Sequence, residues 1–106
     1  MTEFYTDEED AWGYIDTAGK PVIDFKFNRA GRFSGGLARV SVQGKWGYID
    51  KNGQFVIPPR YKWARDFRDG LAEVWDDDAV NRQVQIYYID RTGKVVVNTG
   101  FRAEIF

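Results

Sequence analysis

One pentapeptide, Trp-Gly-Tyr-Ile-Asp, stands at residues 12–16 and again at 46–50, and that recurrence constrains the chain more than any other feature. With Trp12 set on Trp46 the offset is 34 residues, and it also carries Phe27 to Tyr61, Ala30 to Ala64, Phe33 to Phe67, Gly36 to Gly70, Leu37 to Leu71 and Ala38 to Ala72. A worn third copy, Tyr88-Ile89-Asp90 with Gly93, Val95-Val96-Val97 and Phe101, follows 40 residues after the second. Self-similarity at a fixed period marks a repeat architecture in which each copy is one supersecondary unit. The extra positions before the third copy fall around Asp76-Asp77-Asp78-Ala79-Val80-Asn81-Arg82-Gln83, a polar stretch that reads as a lengthened loop.

Each unit carries the pattern of strands. Trp46 to Asp50 is short and rich in aromatic and β-branched residues, Lys51-Asn52-Gly53 has the residue types of a hairpin loop, and Gln54-Phe55-Val56-Ile57 runs back. Asp16, Asp50 and Asp90 each precede a glycine by three residues, where a carboxylate can accept from the N–H groups of the turn. Pro58-Pro59 is expected to end its strand by removing two donors. Leu37-Ala38-Arg39-Val40-Ser41-Val42 and Leu71-Ala72-Glu73-Val74-Trp75 alternate as strands do, and Gln43-Gly44 makes a tight turn into the next. The glycine beside each signature tryptophan is expected to lie under a neighbouring aromatic.

The expected fold is therefore all-β: one domain over residues 1–106 with about nine short antiparallel strands. They form three repeated three-stranded meanders, at about residues 3–27, 37–61 and 71–101. A threefold repeat this short either closes on itself or stacks as a stubby solenoid, and a compact, partly closed form with pseudo-threefold character is favoured because closure hides strand edges. No helix beyond a single turn near Asn28–Phe33 or Tyr61–Phe67 is expected, since no long window holds a 3.6 period free of glycine and proline.

These residues resemble the WG-repeat (KWG-repeat) family of bacterial proteins. The second unit matches throughout, with Lys45-Trp46-Gly47-Tyr48-Ile49-Asp50, Gly53, Val56-Ile57-Pro58-Pro59, Tyr61, Phe67 and Gly70-Leu71-Ala72. The first has Asp24-Phe25 in place of the proline pair. The third has Ile86-Tyr87 in place of Trp-Gly, which fits an end-capping role. The resemblance implies a binding or scaffolding module, and it carries over no catalytic residues.

Composition narrows the chemistry. Histidine and cysteine are both absent, so the usual base of hydrolases, the commonest neutral metal ligand, thiolate nucleophiles and disulfides are missing together. An enzyme and a cofactor are not expected. The balance of 15 basic and 16 acidic side chains gives a net charge of −1, which makes nucleic acid an unlikely partner. The acidic opening has no apolar run of the kind found in signal peptides or transmembrane segments, so a cytoplasmic setting is expected.

Function is sought where the copies disagree. Trp63 and Trp75 stand where the preceding unit has Arg29 and Ser41, so the repeated core does not account for them. The acidic runs Asp7-Glu8-Glu9-Asp10 and Asp76-Asp77-Asp78 precede signature strands and would share one rim. Solvated loops are the plain explanation; the sharper one is an acidic rim docking on a basic partner surface. The partner-binding set is Trp63, Trp75, Asp76, Asp77, Asp78, Asp7, Glu8, Glu9 and Asp10. Arg60, Lys62, Arg65 and Arg68, interleaved with Trp63 and Phe67, form a basic counterpart of the kind that can hold single-stranded nucleic acid or a phosphorylated ligand, which the net charge disfavours. The expected function is a non-enzymatic protein-binding module, a small inhibitor or immunity-type protein neutralising a toxin or defence component. The alternative is a module binding a glycan or nucleotide on Trp and Tyr platforms.

Overall fold

Each signature forms a hairpin strand, and the turn after it is held by its aspartate. The computed structural model describes the backbone of residues 2–6, 11–78 and 83–104, and side chains at 11–23, 26–76 and 84–99. The Asp16 carboxylate accepts from the N–H groups of Ala18 and Lys20, Asp50 from those of Asn52 and Gln54, and Asp90 from those of Thr92 and Lys94, all at 2.9–3.1 Å. Asp90 also accepts from the Thr92 hydroxyl at 2.6 Å, and that bond, with the backbone N–H groups, holds its carboxyl below the usual range.

Eleven strands form three antiparallel sheets among the described residues. The first sheet is β1 (Thr2–Thr6), β2 (Ala11–Ile15) and β3 (Pro21–Phe27). The second is β4 (Arg29–Ser34), β5 (Leu37–Val42), β6 (Lys45–Ile49) and β7 (Phe55–Tyr61). The third is β8 (Trp63–Ala64), β9 (Ala72–Asp78), β10 (Gln83–Ile89) and β11 (Val95–Glu104).

The all-β class is as expected, and each sheet contains one antiparallel run of three consecutive strands, but two of the sheets carry a fourth strand, so the units are not equal meanders. The linking segments, where a helical turn was allowed, are instead the added strands β4 and β8. They are drawn into the sheets by long-range bonds such as Asn28 N–H to the Ser41 carbonyl and Arg65 N–H to the Glu73 carbonyl. Nor does the structure close into a barrel. It is a plate of 45 × 30 × 16 Å in which β4 lies against β1 and β2, and β7 against β9. The stretch expected as a lengthened loop from Asp76 is corrected in part: β9 continues to Asp78, paired with Gln83, while residues 79–82 lie outside the described residues.

The middle sheet is buried on both faces. Tyr14, Ile23 and Phe27 of the first sheet pack with Ala38, Val40 and Ile49; Tyr48, Ile57 and Tyr61 of the second pack with Phe67, Val74 and Ile89. One lock recurs at the 34-residue spacing. The Tyr14 hydroxyl donates to the Gly31 carbonyl at 2.5 Å with its ring edge-on to Phe33, and the Tyr48 hydroxyl donates to the Arg65 carbonyl at 2.6 Å with its ring edge-on to Phe67. Each lock thus satisfies a buried phenol and adds an aromatic pair worth ~1 kcal/mol beyond area burial.

The signature glycine is covered by backbone, not by an aromatic. Tyr48 pairs with Ile57 but Trp46 pairs with Tyr61, so Gly47 alone faces Pro58, Pro59 and Arg60. A Cβ at Gly47 would lie 2.5 Å from the Ile57 carbonyl oxygen and 2.7 Å from the Pro59 nitrogen. The prolines therefore do not end β7. They sit in its bulge, on an edge strand, where missing donors are tolerated. In the third sheet Tyr87 replaces the glycine and the bulge moves by one position: Tyr87 pairs with Asn98, and Ile86 faces Thr99, Gly100 and Phe101.

Two outcomes follow from this packing. Gly47→Ala should lower stability by about 3 kcal/mol through overpacking, against about 1 kcal/mol for Gly44→Ala, where φ is +80° and no heavy atom lies within 4 Å. Equal urea midpoints for the two variants would remove the backbone-contact explanation. Burial raises the Tyr48 phenol well above its ordinary 10.0, with Tyr61 adding to the shift and Arg39 opposing it. Burial raises Tyr61 too, with Arg60 opposing. Because the folded values are raised, this stabilisation is complete below the unfolded value of about 10 and is lost as pH climbs through the folded ones. Denaturation midpoints measured across alkaline pH should hold steady to about pH 9 and fall above about pH 10.

Candidate functional site

The site is built on Arg39. Its position on β5 alternates with Ala38 and Val40, so its side chain leaves the face that packs on the first sheet. It then meets the second core from the edge. Arg39 Nε donates to Asp66 Oδ1 at 3.0 Å and Nη1 donates to the Ala64 carbonyl at 3.1 Å. Its guanidinium carbon lies 5.2 Å from the Trp46 ring centroid and 5.3 Å from that of Trp63, while the two indoles meet edge-on at 5.4 Å. A guanidinium held by a carboxylate, a carbonyl and two indole faces has little freedom left.

Gly31 makes room for it. A Cβ there would stand 2.8 Å from Arg39 Cγ and 2.9 Å from Nε, so any side chain at that position pushes on the arginine. The Gly31 carbonyl also receives the Tyr14 hydroxyl, which ties the first core to the site.

Two adjoining hollows of about 620 and 610 Å³ share Arg39 and Trp63. One is lined by Arg32, Arg65 and Arg68 around Asp66, the other by Trp12, Trp46 and Arg29. Volumes of this size accommodate a peptide segment or small ligand. The exposed Arg29, Arg32, Arg65 and Arg68 give the groove a basic character that the net charge of −1 conceals.

Trp63 is where the sequence reading looked, at 36% exposure on the groove wall. Trp75 is its cross-strand neighbour, half-buried, with its indole N–H donated to Glu73 at 2.9 Å. Glu73 also accepts from Arg65 at 3.1 Å. Asp76 follows on β9 and accepts from Arg60 at 2.7 Å, so the chain itself partly compensates its charge. Asp77 and Asp78 continue β9, paired by backbone with Val84 and Gln83. Asp7, Glu8, Glu9 and Asp10 lie outside the described residues. Of the basic counterpart, Arg65 and Arg68 line the groove, whereas Arg60 is engaged with Asp76.

Arg39 and Gly31 were missed. The available signal was disagreement in charge between copies, since Arg39 matches Glu73 and Arg32 matches Asp66 at the 34-residue offset. Among the described residues no group of three or more acidic side chains converges to hold a metal ion, and no helix is long and apolar enough to cross a membrane.

These observations define an all-β repeat module whose concave surface is an arginine and tryptophan groove. The family model for the WG containing repeat matches residues 12–46 and 46–74, more than half of the chain. The chain belongs to the WG-repeat family. Neither a curated protein nor a solved structure matches it.

Gly31→Ala should displace Arg39 from its contact with Trp46 and Trp63 and shift tryptophan emission. In an Arg39→Ala background the same substitution should add little further shift. Additive shifts in this double-mutant comparison would show that Gly31 does not act through Arg39.

Proposed function

We propose that this chain is a non-enzymatic protein-binding module whose groove takes an acidic segment of another protein. The observation that carries this reading is Arg39 held against both Trp46 and Trp63, which themselves meet edge-on, with exposed arginines on either side. Arginine binds carboxylates through two parallel N–H bonds, and Trp and Arg are the residue types that dominate binding energy at protein interfaces. A fixed guanidinium loses little freedom on binding, so a preorganised groove gains affinity that a mobile arginine would not. The Arg65 pair with Glu73 is largely exposed on the arginine side and so offers weak competition to an incoming carboxylate.

Within this reading the finer proposal is a small inhibitor or immunity-type role, which rests on the sequence and its two acidic runs. A basic partner meeting Asp76 would compete with its ion pair to Arg60. The tryptophan-lined half of the groove favours one second reading, a planar ligand such as a nucleotide or sugar stacked against Trp12, Trp46 or Trp63.

Titration with an oligoglutamate peptide, followed by tryptophan fluorescence, separates these readings. The expected result is a saturable change that weakens with added salt and falls about tenfold in affinity in Trp63→Ala or in the double variant Arg32→Ala, Arg68→Ala. A response to nucleotide or glycan but not to oligoglutamate supports the second reading instead. A response to oligolysine alone moves the site to the acidic runs.

A further inference from the structure

Among the described residues, the contact that joins successive units has an exposed counterpart on the first unit and another on the third, and the two match. Inside the chain, each hairpin turn sits on the preceding unit. A Cβ on Gly53 would lie 3.2 Å from the Ile23 side chain, and one on Gly93 would lie 3.3 Å from that of Ile57. Those isoleucines are accordingly 4% and 3% exposed. The residue that pairs with the signature tyrosine in the third unit is Val97, as Ile57 pairs with Tyr48 and Ile23 with Tyr14, yet Val97 is 44% exposed. Tyr88 beside it is half-buried where Tyr14 and Tyr48 are fully buried.

At the other end the pattern inverts. Among the described residues, no heavy atom beyond its chain neighbours lies within 4 Å of where the Gly19 Cβ would be, although its φ of +82° matches +83° at Gly53 and +89° at Gly93. Ile15 is half-buried where Ile49 and Ile89 are fully buried. A terminal unit that capped the stack would carry a polar outer face. The third unit shows Val97 instead, so the end-capping role expected of it is not what its described surface provides.

We infer that a second copy of this chain stacks head to tail on the first, its Gly19 turn seated on Val97 as Gly93 is seated on Ile57. The contact continues an interface the chain already forms twice within itself. It is heterologous, with different surfaces on the two copies, so association propagates beyond a dimer unless rotation closes it into a ring. Such stacking needs no acidic partner and stands apart from the groove.

Sedimentation equilibrium from micromolar to millimolar concentration tests this, with two variants that block one end each. Val97→Asp places a charge on the exposed seat. Gly19→Asn fills the space the seat needs, and asparagine tolerates positive φ. The wild type should show an average mass that rises with concentration by about twofold or more. Each variant alone should remain at the mass of one chain with an unchanged circular dichroism spectrum, and an equimolar mixture should form a one-to-one pair, because each variant keeps the end the other lacks. A wild type that stays at the mass of one chain throughout, self-association that Val97→Asp leaves intact, or a mixture that fails to pair would each overturn the inference.

Discussion

The contact on which the rest of the structure depends is backbone against backbone at Gly47. In a regular ladder the pairing of Tyr48 with Ile57 would bring Pro59 opposite Trp46. The bulge brings Tyr61 there instead. Tyr61 is buried in the second core and Pro59 is only half-buried, so two extra residues in β7 exchange a small edge side chain for a large core one. The exchange is possible only if the displaced chain can lie across the residue on β6, and a 2.5 Å approach to the would-be Cβ leaves glycine alone. The same skipped pairing occurs in the first sheet, where Tyr14 meets Ile23 and Trp12 meets Phe27. In the third sheet Tyr87 occupies the glycine position, and the bulge persists one residue away. There the residue that re-enters the ladder is Arg102, opposite Gln85, so the bulge outlasts both the glycine and the aromatic pairing it serves in the first two sheets.

That constraint also explains what the sequence disclosed. The signature strands, the aspartate-capped turns and the division into units could be read directly, because each depends on residues close together in the chain. The bulge could not. Pro58-Pro59 carries a local meaning, loss of donors, and the fact that no donor is needed there depends on the partner strand. Strands β4 and β8 were hidden for a related reason. β8 has only two residues and β4 is interrupted by a bulge, and both exist because bonds reach across the chain to β9 and β5. In the site, Trp63 was found as an aromatic the repeat does not require, whereas Arg39 looked like one polar residue of an alternating strand. Asp76 looked free for a partner because its ion pair with Arg60 spans 16 residues.

Serial packing divides the apolar core in two, with the middle sheet serving both halves. Each half is small, and aromatic pairs such as Tyr14 with Phe33 and Tyr48 with Phe67 supply a large part of what holds it. A structure of this kind has no single center whose loss unfolds everything, and its stability approximates a sum of units and interfaces. The outer sheets, each packed on one side only, are the weaker elements by that reasoning. Any further contact on their open faces adds an interface term of the type the middle sheet already receives twice.

The groove follows from the same arrangement. It lies where β4 and β5 of the second sheet meet β8 and the segment after it, so Arg32 and Arg39 come from one sheet and Trp63, Asp66 and Arg68 from beyond β7. No single unit can form it. At matching positions the copies carry opposite charge, Arg39 against Glu73 and Arg32 against Asp66, on backbones that pair in the same way. Arg39 is thereby drawn to Asp66 and the indoles, while Glu73 draws in Arg65 and the Trp75 indole N–H. One scaffold thus produces two polar environments that differ in the sign of the charge at these positions. Divergence at charged positions is inexpensive for such a repeat because the tyrosine locks donate to backbone carbonyls, and so do not depend on which side chain stands at those positions.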